Sequence, residues 1–100
     1  MNYSTASEIK CTSSVGAISK FVVVADSYNR ENLYAKCRMQ LSSDGTNWAD
    51  PKPSCTYVQG EDGYYTNTLL NEDETKTWFN IKTPDSTLTI KSFEVIFVVD

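Results

Sequence analysis

A chain of 100 residues with 40% hydrophobic and 12% aromatic residues can fold as one globular domain, and we assign residues 1–100 to it. The formal net charge is −4 and the nine basic residues are scattered, which argues against nucleic acid and an anionic membrane surface as partners. No apolar run reaches transmembrane length, and the segment after Met1 lacks the features of a signal peptide. We therefore expect either a complete chain that acts where it is made or a piece of a longer secreted protein.

Turn signals recur about every eight to twelve residues, which is typical of an all-β protein. We predict an antiparallel β-sandwich of jelly-roll or immunoglobulin-like type, with seven to eight strands and no helix. The predicted strands are Ala6–Cys11, Ala17–Ala25, Leu33–Ser42, Cys55–Gln59, Tyr64–Leu70, Thr77–Lys82 and Thr87–Val99.

The segment Leu33–Ser42 alternates apolar and polar residues, so one face should lie on a core and the other should meet solvent. The apolar set, predicted to be buried, is Leu33, Ala35, Cys37, Met39 and Leu41. Asp44-Gly45 then predicts a two-residue type I′ hairpin turn, in which both residues need positive φ. Pro51 and Pro53 remove hydrogen-bond donors, so the returning segment should be an edge or a bulge.

The last predicted strand changes its apolar parity part-way along. Leu88 and Ile90 share one parity, whereas Phe93, Val95, Phe97 and Val99 share the other. A β-bulge near Lys91-Ser92 would turn both sets inward. The sequence leaves open whether Phe93–Val99 is a central strand or an edge that a neighbouring molecule covers.

The sequence offers little catalytic chemistry. There is no histidine, and the three cysteines include no C-x-x-C pair, so we expect no enzyme activity, no cofactor and no metal site. Glu61-Asp62 and Glu72-Asp73-Glu74 could supply calcium ligands, but solvated loop charge is the simpler interpretation. Cys37 and Cys55 could form a disulfide across a hairpin; the alternative is three buried free thiols.

Aromatic side chains are the remaining candidates for binding. If Phe79 and Ile81 point inward, Trp78 and Asn80 point outward, where they could stack on a sugar ring and hydrogen-bond to it. The full candidate ligand-binding set is Trp78, Asn80, Trp48, Tyr64 and Tyr65. The alternatives are structural, and they are favoured: Trp78 would belong to the core, and Trp48 would hold its own hairpin in place.

The segment SSDGTNW resembles the S-x-D-G-x-x-W hairpin of fibronectin-type, immunoglobulin-like and galactose-binding β-sandwich modules. TWFNIKTPDSTLTIKSFEVI is similar to the closing strands of galactose-binding sandwiches. Such modules occur in bacteriophage decoration proteins and as carbohydrate-binding modules of polysaccharide enzymes.

The resemblance implies two functions. The first is a structural or decoration protein of a virion, which docks on a capsid or tail surface through loops or a sheet edge. The second is an extracellular carbohydrate-binding module of a secreted enzyme, which recognises polysaccharide through surface Trp and Tyr. We prefer the first, because it agrees with the acidic charge, the odd number of cysteines and the missing signal peptide.

Overall fold

The computed structural model describes residues 3–4, 8–29, 36–48, 55–83 and 88–99. These residues form eight β-strands and no helix, so none of them belongs to a helix that could cross a membrane. The strands are β1 (Tyr3–Ser4), β2 (Glu8–Cys11), β3 (Ile18–Ala25), β4 (Arg38–Ser42), β5 (Cys55–Gln59), β6 (Tyr65–Leu70), β7 (Trp78–Lys82) and β8 (Ile90–Phe97).

The strands form two four-stranded sheets that face each other across one core. The strand order is β1-β2-β7-β4 in the first sheet, here called sheet A, and β5-β6-β3-β8 in the second, sheet B. Every pair of neighbouring strands is antiparallel. The predicted all-β sandwich is therefore confirmed.

The strand order is not that of an immunoglobulin constant-type domain, because the two terminal strands lie in the opposite sheets. In that domain seven strands form the sheets ABED and CFG, so the first strand lies beside the second and the last beside the sixth. If β2 to β8 are taken as the seven strands, β8 occupies the position of the first strand beside β3, and β2 occupies that of the last beside β7. The two terminal strands have exchanged sheets, which leaves β8 at an edge of sheet B.

The core lies between the sheets and is built from alternate residues of the central strands. Phe21 and Val23 of β3 and Phe79 and Ile81 of β7 are at most 1% exposed, and the rings of Phe21 and Phe79 are 5.3 Å apart. The β-branched run at the centre of β3 suits a strand between two neighbours. Each such side chain contributes about 1.5–3 kcal/mol when fully buried.

Strand β4 confirms the predicted apolar face but not the predicted solvent face. Met39 and Leu41 are buried, as is Cys37 just before the strand; Leu33 and Ala35 lie outside the described residues, as do Pro51 and Pro53. The opposite set, however, is also buried: Arg38, Gln40 and Ser42 are at most 7% exposed. Alternation predicts which sheet face a side chain occupies, but it does not predict whether that face is open to water.

The predicted hairpin at Asp44-Gly45 is wrong. Strand β4 pairs with β7, and the next described strand, β5, belongs to the other sheet. Gly45 has a φ of 78°, but no described residue other than glycine has a positive φ, so the turn is not type I′. The loop is instead organised by the Asp44 carboxylate, which accepts hydrogen bonds from the backbone N–H groups of Thr46 and Asn47 at 2.8 and 2.9 Å.

Two local predictions about sheet B are confirmed. Strand β8 has a register shift beside Lys91, because Val24 faces Ser92 while Ala25 faces Ile90. The shift lets Ile90 pack against the core together with Phe93 and Val95, as the change in parity required. The turn at Gly60–Gly63 joins β5 to β6, and a hydrogen bond of 3.0 Å runs from Gly63 N to Gly60 O.

Candidate functional site

The predicted pair of Trp78 and Asn80 does not form an open binding surface. Both residues lie on the outer face of β7, but Asn80 is only 1% exposed. Its Nδ2 donates hydrogen bonds of 3.0 Å to Glu8 Oε2 and to Gln40 Oε1. The predicted outward orientation of Asn80 is thus compatible with the strand, whereas its predicted accessibility is wrong.

Trp78 holds the Asp-Gly loop in place, a role that the sequence had suggested for Trp48. The ring of Trp78 is so close to Gly45 that a Cβ added to Gly45 would lie 2.7 Å from the ring. Trp78 is half-buried, as is Trp48 at the end of the loop. Because Trp78 is engaged with the loop backbone, its ring serves the fold.

Three tyrosines come together at one end of sheet B. The rings of Tyr28 and Tyr57 are stacked, with centroids 4.2 Å apart and an interplanar angle of 21°. Tyr65 is tilted against Tyr28 at 5.1 Å and lies edge-on to Tyr57 at 6.1 Å. Tyr57 remains 49% exposed, so this tyrosine cluster (Tyr28, Tyr57 and Tyr65) presents aromatic surface to solvent.

A buried asparagine fixes the loop that carries Tyr28. Asn67 of β6 is fully buried and donates from Nδ2 to the carbonyl oxygens of Val23 and Ser27, at 3.2 and 3.1 Å. Its Oδ1 accepts a hydrogen bond of 2.6 Å from the backbone N–H of Asn29. These bonds hold the segment on both sides of Tyr28, so the position of that ring is set by a buried polar group.

Tyr64 is the other tyrosine predicted to bind a ligand, and it contacts Lys91 rather than the tyrosine cluster. The Nζ of Lys91 lies 5.4 Å from the centroid of the Tyr64 ring and 2.7 Å from Asp62 Oδ2. The hydrogen bond with Lys91 lowers the pKa of Asp62, and the same contact raises the pKa of Lys91. This group ties the turn at Gly60–Gly63 to β8 near its bulge.

The three thiols are free. Burial raises the pKa of all three, that of Cys37 to about 12, so they are protonated and weakly nucleophilic at neutral pH. Within the ranges that the structure describes, no three His, Cys, Asp or Glu side chains are grouped as a metal site would require.

The sheet edges differ in how open they are. In sheet A, β1 has two residues and every residue of β4 is buried. In sheet B the edges are β5, with five residues, and β8, with eight. Among the described strands β8 pairs with β3 alone, and its only charged residues are Lys91 and Glu94. Strand β8 is therefore the longest open edge in the part of the molecule that the structure describes.

No protein-family model, no curated protein and no solved structure matches this chain. The function must therefore be inferred from its surfaces.

Sequence reasoning found some of these features and missed others. Tyr65 was predicted to bind a ligand, but the cluster also needs Tyr57 and Tyr28. Tyr57 and Tyr65 could have been linked, because a turn at Gly60–Gly63 places Gln59 opposite Tyr65 and makes Tyr57 its diagonal neighbour. Tyr28 carries no such signal, since its position depends on Asn67, 39 residues away in sequence (67 − 28 = 39).

Proposed function

We propose that this protein is a non-enzymatic structural module that docks on a protein surface of a larger assembly through the open edge of β8. The observation that carries the proposal is the position of β8, an eight-residue strand with a described neighbour on one side only. An edge strand directs the N–H and C=O groups of alternate residues away from its own sheet, where a strand of another molecule can pair with them.

The side chains of β8 are suited to such a contact. Phe93 and Val95 pack against the core but are only partly buried, and Phe97 is 38% exposed. A strand added beside β8 would cover their remaining apolar surface and extend the core sideways. Of the two charged residues, Lys91 already pairs with Asp62, and Glu94 forms no salt bridge with any residue that the structure describes.

The assembly that we favour is a virion-type particle, with the domain displayed on a capsid or tail. This part of the proposal draws on the sequence resemblance, the acidic charge and the odd number of cysteines. A β-sandwich with one long open edge agrees with such a decoration role.

The proposal can be tested by photo-crosslinking in the cells that naturally make the protein. A benzophenone amino acid is placed at Ile96, on the outer face of β8, or at Leu70, on the same face of β6. Both residues face Lys20 across the sheet, so they lie in one row about 10 Å apart. We expect Ile96 to crosslink to protein at least several-fold more efficiently than Leu70. Equal crosslinking from the two positions, or none from Ile96, would contradict docking through this edge.

The tyrosine cluster favours carbohydrate binding as a second candidate function. Tyr28 covers one side of the Tyr57 ring, and the 49% of Tyr57 that is exposed can meet the C–H groups of a sugar ring. In this role the protein would be an extracellular module of a secreted polysaccharide enzyme. The residues would be Tyr28, Tyr57 and Tyr65, since Asn80 is buried and Trp78 contacts its own loop.

Affinity electrophoresis through gels that contain soluble polysaccharides separates the two functions. Carbohydrate binding predicts retardation that is lost in Tyr57→Ala and kept in Tyr64→Ala, a tyrosine of the same hairpin outside the cluster. Docking through β8 predicts no retardation of the wild-type protein in any of the gels.

A further inference from the structure

The edge of β8 is nearly symmetric about Val95. Phe93, Val95 and Phe97 alternate along the strand and share one face, which gives the order Phe-Val-Phe in either direction. A contact between two identical surfaces related by a two-fold axis requires this kind of self-complementarity.

The backbone N–H and C=O groups of alternate β8 residues point away from β3, toward the open edge. Val98 N donates a hydrogen bond of 2.9 Å to Ala17 O, toward the β3 side. Because the direction alternates along an antiparallel strand, the N–H and C=O groups of Val95 and Phe97 point to the open side. Val95 can therefore form a hydrogen-bonded pair with its own equivalent across a two-fold axis.

Charge selects one register. The regular part of β8 runs from Ser92 to Phe97. The bulge at Lys91 interrupts it on one side, whereas the second register shift, between Ile96 and Phe97, adds its extra residue, Ser19, to β3. A two-fold axis must pass through a residue, since otherwise the inner face of one strand would oppose the outer face of the other. The two registers with the largest overlap are centred on Glu94 and Val95, and the first would put two Glu94 carboxylates directly opposite each other.

We infer that the partner of the β8 edge is β8 of a second copy of this chain, paired antiparallel about a two-fold axis through Val95. This inference rests on the open edge that the proposed function uses, and it makes a second copy the protein that occupies that edge; the dimer would then meet a capsid or tail through its other surfaces. In this register Phe93 faces Phe97 of the second copy, Glu94 faces Ile96 of the second copy, and the two Val95 residues face each other. Sheet B becomes a continuous eight-stranded sheet across the dimer, with two aromatic pairs beneath it.

The other open edge of sheet B is less suitable for this role. Strand β5 has five residues, and its inner-facing Tyr57 is already stacked by Tyr28. Pairing of β5 with β8 of another copy would be a head-to-tail contact and would continue into a ring or a filament. Pairing of β8 with β8 uses the longer edge and closes after two copies.

Disulfide formation between single cysteines on the outer face of β8 can determine the register in which the two β8 strands pair. The variants Ser92→Cys, Ile96→Cys and Val98→Cys are made in a Cys55→Ser background, which removes the half-buried native thiol and keeps Glu94. Ser92→Cys is mixed 1:1 with a tagged form of Val98→Cys or of Ile96→Cys, and each mixture is oxidised with excess oxidised glutathione and analysed by mass spectrometry without reduction. A Val95-centred register places residue 92 directly opposite residue 98, whereas a Glu94-centred register places it opposite residue 96; in either register the other pair is about 8 Å apart, too far for a disulfide.

We expect the mixture of Ser92→Cys with Val98→Cys to give at least a fivefold higher yield of tagged–untagged dimer than the mixture of Ser92→Cys with Ile96→Cys. The opposite order of yields would establish the Glu94-centred register and overturn the inference. No dimer in any sample, with sedimentation of the wild-type protein as a monomer at high concentration, would exclude a second copy as the partner. The crosslinks from Ile96 would then show whether docking on another protein survives.

Discussion

The contact between Trp78 and Gly45 leads to a quantitative prediction for Gly45→Ala. Gly45 has a φ of 78°, and an alanine held there costs about 1–2 kcal/mol of unfolding free energy. The new Cβ would also lie 2.7 to 2.9 Å from three atoms of the Trp78 ring. Relief of such a clash lowers the unfolding free energy by an additional amount of about 1–3 kcal/mol. The expected total destabilisation is about 2–5 kcal/mol.

Gly63→Ala is the matched control. Gly63 has a φ of 86°, but no atom lies within 4 Å of the position of an added Cβ. It should therefore lose only the conformational part, about 1–2 kcal/mol. The two variants are compared by urea unfolding and by thermal unfolding, where each kcal/mol corresponds to about 4–8 °C in a domain of this size.

The double variant Gly45→Ala/Trp78→Leu isolates the clash. If Trp78 holds the loop, the effect of Gly45→Ala should shrink toward that of Gly63→Ala once the indole ring is removed. Equal destabilisation by Gly45→Ala and Gly63→Ala in the presence of Trp78 would refute the reasoning.

Three further predictions concern the buried side chain of Asn67, the carboxylate of Asp44 and the cysteine thiols. Asn67→Ala should cost about 2–4 kcal/mol in urea unfolding, because it removes several buried hydrogen bonds and leaves the Asn29 N–H without its acceptor. The Asp44 carboxylate accepts hydrogen bonds from its own loop, and these lower its pKa below the ordinary 3.8. The hydrogen bonds therefore stabilise the folded protein above pH 3.8, and this stabilisation is lost as the pH falls through the lowered pKa. Asp44→Asn should therefore weaken the fall in melting temperature below pH 4. With Ellman's reagent, the half-buried Cys55 should react slowly in the native protein, because its pKa is raised, and Cys37 should react only on unfolding.

Local patterns in the sequence predicted local structure well. The bulge at Lys91 followed from the change of apolar parity, and the turn at Gly60–Gly63 followed from its two glycines. Both features depend on neighbouring residues alone. The apolar faces of β4 and β7 were predictable for the same reason, because period-two alternation is a property of each strand.

Features that depend on distant pairing could not be predicted. Asp44-Gly45 has the composition of a tight hairpin, yet β4 pairs with β7, so the loop leads from one sheet to the other. Asn80 was placed on the correct face of its strand, but its burial depends on Glu8 and Gln40 from two other strands. The edge position of β8 likewise follows from the order of all four strands in sheet B.

Hydrogen exchange of the β8 amides is the most direct test of docking through this edge. NMR would follow residues 92–97 in dilute and in assembled protein, with Phe21 and Val23 of the central strand β3 as the reference. The account predicts that the outward amides of Val95 and Phe97 exchange fast in the dilute monomer and become protected on assembly, while the β3 amides stay slow throughout. Amides of Val95 and Phe97 that are already as protected as those of β3 in the dilute monomer would contradict an open edge and the function that we derive from it.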